Sequence, residues 1–176
     1  AAPAIANDAT DDGREWDHAR AVLMGKPAGD MVLGVARWKQ LTAAPQLGFS
    51  DYANFLLSYP GFPEEAKLRT LAETALNRTA TDPQQVVAYF DRYTPLGNPG
   101  RAHFALALFA IGRADAVQVG INAWRGGAMS DLAETALLAR LNAYLAPADH
   151  DARMNALLWA GASGQAERQL AWTSPT

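Results

Sequence analysis

Three histidines and eighteen acidic residues bound the chemistry open to this chain. Asp149-His150-Asp151 is where a histidine sits between two carboxylates. Adjacent residues on a helix point about 100° apart, so these three cannot converge on one ion. His18, His103 and His150 also lack the i, i+4 spacing of a helical ligand pair. The expected role is structural: Asp149 or Asp151 complements a helix N-terminus while a carboxylate reaches Arg153. Glycoside hydrolysis needs two acids facing each other across about 5–10 Å. Glu64 and Glu65 are adjacent, Glu73 and Glu134 fall on different helices, and the spacing nominates no pair. No Gly-x-Ser-x-Gly elbow, phosphate loop or dinucleotide fingerprint is present. The residues assign no catalytic, cofactor-binding or metal-binding position.

Composition narrows the class further. The 176 residues suffice for one domain or one arm of a larger protein. Alanine is abundant and β-branched residues are sparse, which favours helix. A net charge of −3, without any Lys/Arg run, argues against a nucleic-acid partner. No apolar run reaches the roughly 20 residues of a membrane helix, so a soluble chain is expected. Absence of cysteine excludes disulfides and thiolate metal sites. The start, Ala1-Ala2-Pro3-Ala4, is of the kind a removed secretory signal leaves behind.

The elements read as helices throughout. Residues 1–13 form a leader without periodicity, and 14–172 a helical domain. A first helix is expected near Arg14, with Trp16, Ala19, Val22 and Leu23, and a second behind Asp30 with Met31, Gly34, Val35, Trp38 and Leu41. Ser50 is expected to cap a third, and Pro63 to open a fourth whose stripe is Leu68, Leu71, Ala72, Ala75 and Leu76. Asp82-Pro83 opens a fifth, with Val86, Val87, Phe90 and Tyr93 inside. Asn98-Pro99 opens a sixth, stopped by Gly112, and the next carries Val117, Gly120, Ile121 and Trp124. Gly120 in that apolar face predicts a close helix approach. Ser130 opens a further pair, Leu132 to Tyr144 and Pro147 to Trp159, and Gln165 to Trp172 starts another helix. From Asn98 to Ser130 is 32 residues and from Ser130 to Ser163 is 33. That period is the spacing of a helical solenoid like the tetratricopeptide arrays. The expectation is an all-α superhelix of antiparallel helix pairs, about ten helices, without strands. Trp38, Trp124 and Trp159 fall on apolar stripes and are expected in the core. Ala166, Leu170, Ala171 and Trp172 leave the last helix with an apolar stripe, which leads us to expect that the natural polypeptide continues.

Several of these residues also carry a family resemblance. Tyr59-Pro60 … Pro63 … Arg69 … Ala72-Glu73 … Leu76 is followed by Thr94-Pro95 … Gly97, Ala105 to Gly112-Arg113 and Ala123-Trp124. The run closes on Asp149-His150 … Arg153 … Leu157-Leu158-Trp159. In this order, over roughly residues 50–172, the chain resembles the N-terminal superhelical domain of the soluble lytic transglycosylases. The resemblance implies a periplasmic protein acting on peptidoglycan. Its catalytic domain, goose-lysozyme-like and C-terminal, would cleave the link between N-acetylmuramic acid and N-acetylglucosamine, leaving a 1,6-anhydro end. The family's catalytic Glu-Ser pair is absent: the residues after each Glu are Trp16, Glu65, Ala66, Thr74, Thr135 and Arg168. So the resemblance makes this chain the non-catalytic arm, with glycan strands and a C-terminal catalytic domain as its partners. Arg69, Arg101, Arg125 and Arg140 would then either face peptidoglycan carboxylates or pair with neighbouring acids. The rival expectation is a stand-alone tetratricopeptide-like module that holds a protein partner in its groove.

Overall fold

The computed structural model describes residues 30–43, 46–78 and 80–174. The leader, the expected helix near Arg14 and His18 lie outside the described residues. Within them the chain forms nine α-helices and a final 3₁₀ turn, with no strand. These are α1 (Asp30–Ala43), α2 (Phe49–Ser58), α3 (Glu65–Ala75), α4 (Pro83–Arg92), α5 (Asn98–Ile111), α6 (Ala116–Arg125), α7 (Asp131–Leu141), α8 (Pro147–Trp159) and α9 (Ser163–Gln169). The turn spans Leu170–Trp172.

Local chemistry explains most boundaries. Asp82 accepts the N–H of Gln84 at 3.0 Å, and Pro83 fills the first helical position, where a missing donor costs nothing. Ser130 caps α7 by accepting from the Ala133 N–H. Asp149 accepts the Ala146 N–H at 2.7 Å and closes the start of α8. Gly112 and Gly161 end α5 and α8 in the left-handed conformation.

Three expected openings differ. α2 begins at Phe49, because Asp51 reaches back to accept the Gly48 N–H at 3.2 Å; Ser50 instead donates to Gln85. α3 begins at Glu65, two residues past Pro63, since Glu64 is held left-handed at φ 57°. Glu65 then accepts the Gly61 N–H at 2.7 Å. Asn98 does not cap α5 by its side chain; its amide crosses to the carbonyls of Ala123 and Ala128 at 3.0 and 3.2 Å. The last expected helix runs Ser163–Gln169 and tightens into the 3₁₀ turn before Trp172.

The principal packings join each helix to its next or next-but-one neighbour in the chain: α1 on α2, α2 on α3 and α4, α4 on α5, α5 on α6 and α7, α6 on α7 and α8, and α8 on α9. That is the connectivity of a helical array, in which each unit buries its face against its neighbours. One core centres on Phe49, Tyr52, Leu56, Leu68 and Tyr89, all without solvent exposure. A second centres on Ala102, Ala105, Trp124, Leu137 and Leu141. Phe109 and Val119 pack against both and join them. Gly120 sits where a Cβ would lie 3.0 Å from Leu141 and 3.2 Å from Phe109, so the expected close approach is present.

Candidate functional site

The densest polar chemistry lies where α6, α7, α8 and α9 meet. The face of α8 that packs inward carries Asp149, His150, Arg153 and Leu157, a stripe with one apolar member in four. Arg153 has no solvent exposure. Its guanidinium carbon sits over Trp124, 4.1 Å from the ring centre, and Nη1 donates to the Gly127 carbonyl at 2.9 Å. Nη2 stands 3.1 Å from Glu134, within ion-pair reach but without hydrogen-bond alignment. Burial lowers the Arg153 pKa, partly offset by Glu134. Glu134 also receives Arg168 from α9, which spans to Asp131. Gly127 permits this by its positive φ of 88°, and a Cβ there would come 2.8 Å from Ala156.

Asp149 is 3% exposed. One oxygen takes the Ala146 N–H; the other accepts from Arg125 Nε and stands within ion-pair reach of its Nη2. Burial alone would raise its pKa, but these donors outweigh it and hold the carboxyl below its ordinary value. The expected helix-start role of Asp149 is present, and the carboxylate that reaches Arg153 is Glu134, while Asp149 pairs with Arg125. Asp151 accepts the N–H and hydroxyl of Ser174 at 2.9 and 2.8 Å.

His150 is buried between two indoles: Trp172 stacks on it with centroids 5.5 Å apart, and Trp124 meets it edge to face at 5.8 Å. The Gln169 amide nitrogen lies 3.0 Å from Nδ1 and 3.4 Å from the His150 carbonyl. The amide nitrogen can only donate, so Nδ1 is the acceptor of the 3.0 Å contact. His103 sits elsewhere, 2.9 Å from Asn77, with burial lowering its pKa. Among the described residues no three of His, Asp and Glu gather as a metal site requires.

The glutamates serve separate tasks. Glu64 pairs with Lys67, and Glu65 holds Gly61. Glu73 accepts the Leu96 N–H with both oxygens, at 3.0 and 3.1 Å, and so fixes the loop before α5. Arg69 braces the same loop by donating to the Thr94 carbonyl and lies over the Tyr93 ring. Arg69 and Arg101 neighbour Glu73, Arg125 is engaged by Asp149, and Arg140 is exposed.

Beside the polar joint runs a groove of about 970 Å³ between α8 and α9. Asp151, Met154 and Leu158 line one wall, Ala166, Glu167 and Leu170 the other, with Thr173 and Ser174 at its rim. Leu158 and Leu170 are each 64% exposed. Trp38 packs partly buried against Phe62, and Trp124 is in the core, as expected. Trp159 is not: it is 87% exposed. The inward stripe of α8 turns Leu158 and Trp159 outward, so following the apolar residues picks the wrong face. Gln169, the partner of His150, has no local sequence signal; Trp172 does, through the apolar stripe it ends.

This arrangement locks α8 to α6, α7 and α9 and leaves an exposed groove beside the joint. Compared with protein-family models, curated proteins and solved structures, the chain matches none.

Proposed function

We propose that the chain is the non-catalytic helical arm of a periplasmic lytic transglycosylase. It would position peptidoglycan strands for a catalytic domain on the same polypeptide, which cleaves the muramic acid–glucosamine bond with 1,6-anhydro formation. One observation supports this reading most: the residues carrying the resemblance are the joints of the array. Tyr59 reaches back to the Asp30 carbonyl, and Glu73 with Arg69 fixes Thr94–Leu96 ahead of Gly97. Asp149, His150 and Arg153 then lock α8 to α6, α7 and α9. A family pattern made of joints fits a scaffold whose service is shape. Such an arm acts by holding substrate near the reaction, raising effective concentration without supplying a bond-making group. In the whole enzyme, deleting the arm should depress turnover of intact sacculi far more than turnover of short muropeptides. Equal loss on both substrates would refute the role.

The α8–α9 groove, with exposed Leu158 and Leu170, favours a second reading as a scaffold for a protein partner. The mass of the native polypeptide in its source cell separates the two. A species several times heavier than 18.8 kDa fits the arm, and one at that mass fits the stand-alone scaffold.

A further inference from the structure

The 170–174 segment meets α8 through its tryptophan and its last serine, with Gln169 just ahead of it. Trp172 stacks on His150, Gln169 donates to its Nδ1, and Ser174 is tied to Asp151. Leu170, Thr173 and Ser174 also form one side of the α8–α9 groove. We propose that His150 is an acid-sensitive latch: protonation of its ring releases the 170–174 segment and opens the groove.

The geometry of Nδ1 carries this. With the Gln169 amide nitrogen donating at 3.0 Å, the neutral ring presents its lone pair at Nδ1 and keeps its single proton on Nε2. A second proton on Nδ1 would set N–H against N–H and place a charge at a site 7% exposed. Turning the Gln169 amide would remove the clash but would aim its oxygen at the His150 carbonyl. The charges around the ring are few. On α8, Asp149 and Asp151 favour the protonated form and Arg153 opposes it. α6 brings Trp124 and Arg125, the latter held by Asp149; α7 brings Glu134, held by Arg153 and Arg168. α9 brings Gln169 and Arg168, and the turn brings no charge. Burial outweighs both aspartates and pushes the ring below its ordinary value of 6.5.

The sign follows. A histidine depressed in the closed state contributes closure that is complete above its ordinary value. Closure weakens as pH falls from 6.5 toward the closed-state midpoint, then levels off. Within that window the opening constant rises by up to about tenfold per pH unit. Asp151, held below its ordinary 3.8 by Ser174, titrates outside it.

The test uses the full chain labelled with 5-fluorotryptophan, giving one NMR line per tryptophan, followed from pH 7.5 to 4.5 beside the His150 ring resonance. The expected result is that the Trp172 line and the His150 ring titrate together below 6.5. Trp38 should stay fixed, and the Ser174 amide should lose exchange protection over the same range. His150→Gln should abolish the Trp172 step. A Trp172 line that stays put while His150 titrates would overturn the latch. So would gained protection at Ser174, which would mean that the charged ring stacks more tightly. If His150→Gln does not fold, the wild-type comparison of Trp172, Trp38 and Ser174 decides alone.

Discussion

The guanidinium of Arg153 stands 4.1 Å from the centre of the Trp124 ring, and both side chains are removed from solvent. The contact joins the middle of α8 to the end of α6, and the same arginine holds the Gly127 carbonyl in the α6–α7 connection. A buried arginine stacked on an indole keeps its charge partly compensated by the ring face. Glu134 adds its charge, and Arg168 binds that glutamate from α9.

Replacing Arg153 should therefore loosen the C-terminal half of the array. Arg153→Ala removes the stacked group, empties its buried volume and strands the Gly127 carbonyl. The expected cost is about 3 kcal/mol, within the range for breaking buried charge pairs. In a chain of this length that corresponds to a fall of roughly 10 °C in Tm. Arg153→Met keeps the stem over Trp124 and leaves Glu134 with Arg168, so it should cost about half as much. Urea unfolding of the three proteins checks the order. A methionine variant as unstable as the alanine one would mean that the charge matters more than the packing.

The same helix separates what can be read in the sequence from what cannot. α4, α7 and α8 start where expected because Asp82-Pro83, Ser130 and Pro147 act through local backbone chemistry. The stripe of α3 is legible for the same kind of reason, since Leu68, Ala72 and Ala75 are apolar at helical spacing and buried. On α8 the rule inverts, because Asp149, His150 and Arg153 face inward with partners on three other helices. Those partners lie 19 to 26 residues away in sequence, as in Glu134 to Arg153, Gln169 to His150 and Gly127 to Arg153. No local period can report them. The α3 opening is unlike the others: Glu64 is left-handed, and Glu65 closes back on the Gly61 N–H, which a proline at 63 does not signal.

Two tryptophans should respond oppositely to truncation. Trp124 is 1% exposed and carries contacts to Arg153 and His150, so Trp124→Ala should cost about 3–5 kcal/mol. Trp159, 87% exposed at the end of α8, should change stability by no more than about 0.5 kcal/mol when made alanine. Thermal denaturation of both variants measures this. A large loss for Trp159→Ala would mean that its side chain packs in solution against something that covers the end of α8.

Glu73 supplies a pH test independent of His150. Burial raises its carboxyl above the ordinary 4.5, against the Leu96 N–H, Arg69, the Gly97 N–H and Arg101, all of which pull it down. A carboxyl raised in the folded state binds its proton more tightly there than in the unfolded chain. Its contribution to stability is greatest in acid, falls as pH rises from 4.5 through the folded midpoint, and is flat above it. Glu73→Gln keeps an oxygen for the Leu96 N–H and loses the titration. The difference in stability between wild type and Glu73→Gln should therefore move against wild type as pH climbs from 4 to 7, read from urea midpoints at each pH. A difference moving the other way would show that Arg69 and Arg101 outweigh burial, and that the loop before α5 is held by charge more than by the Leu96 N–H.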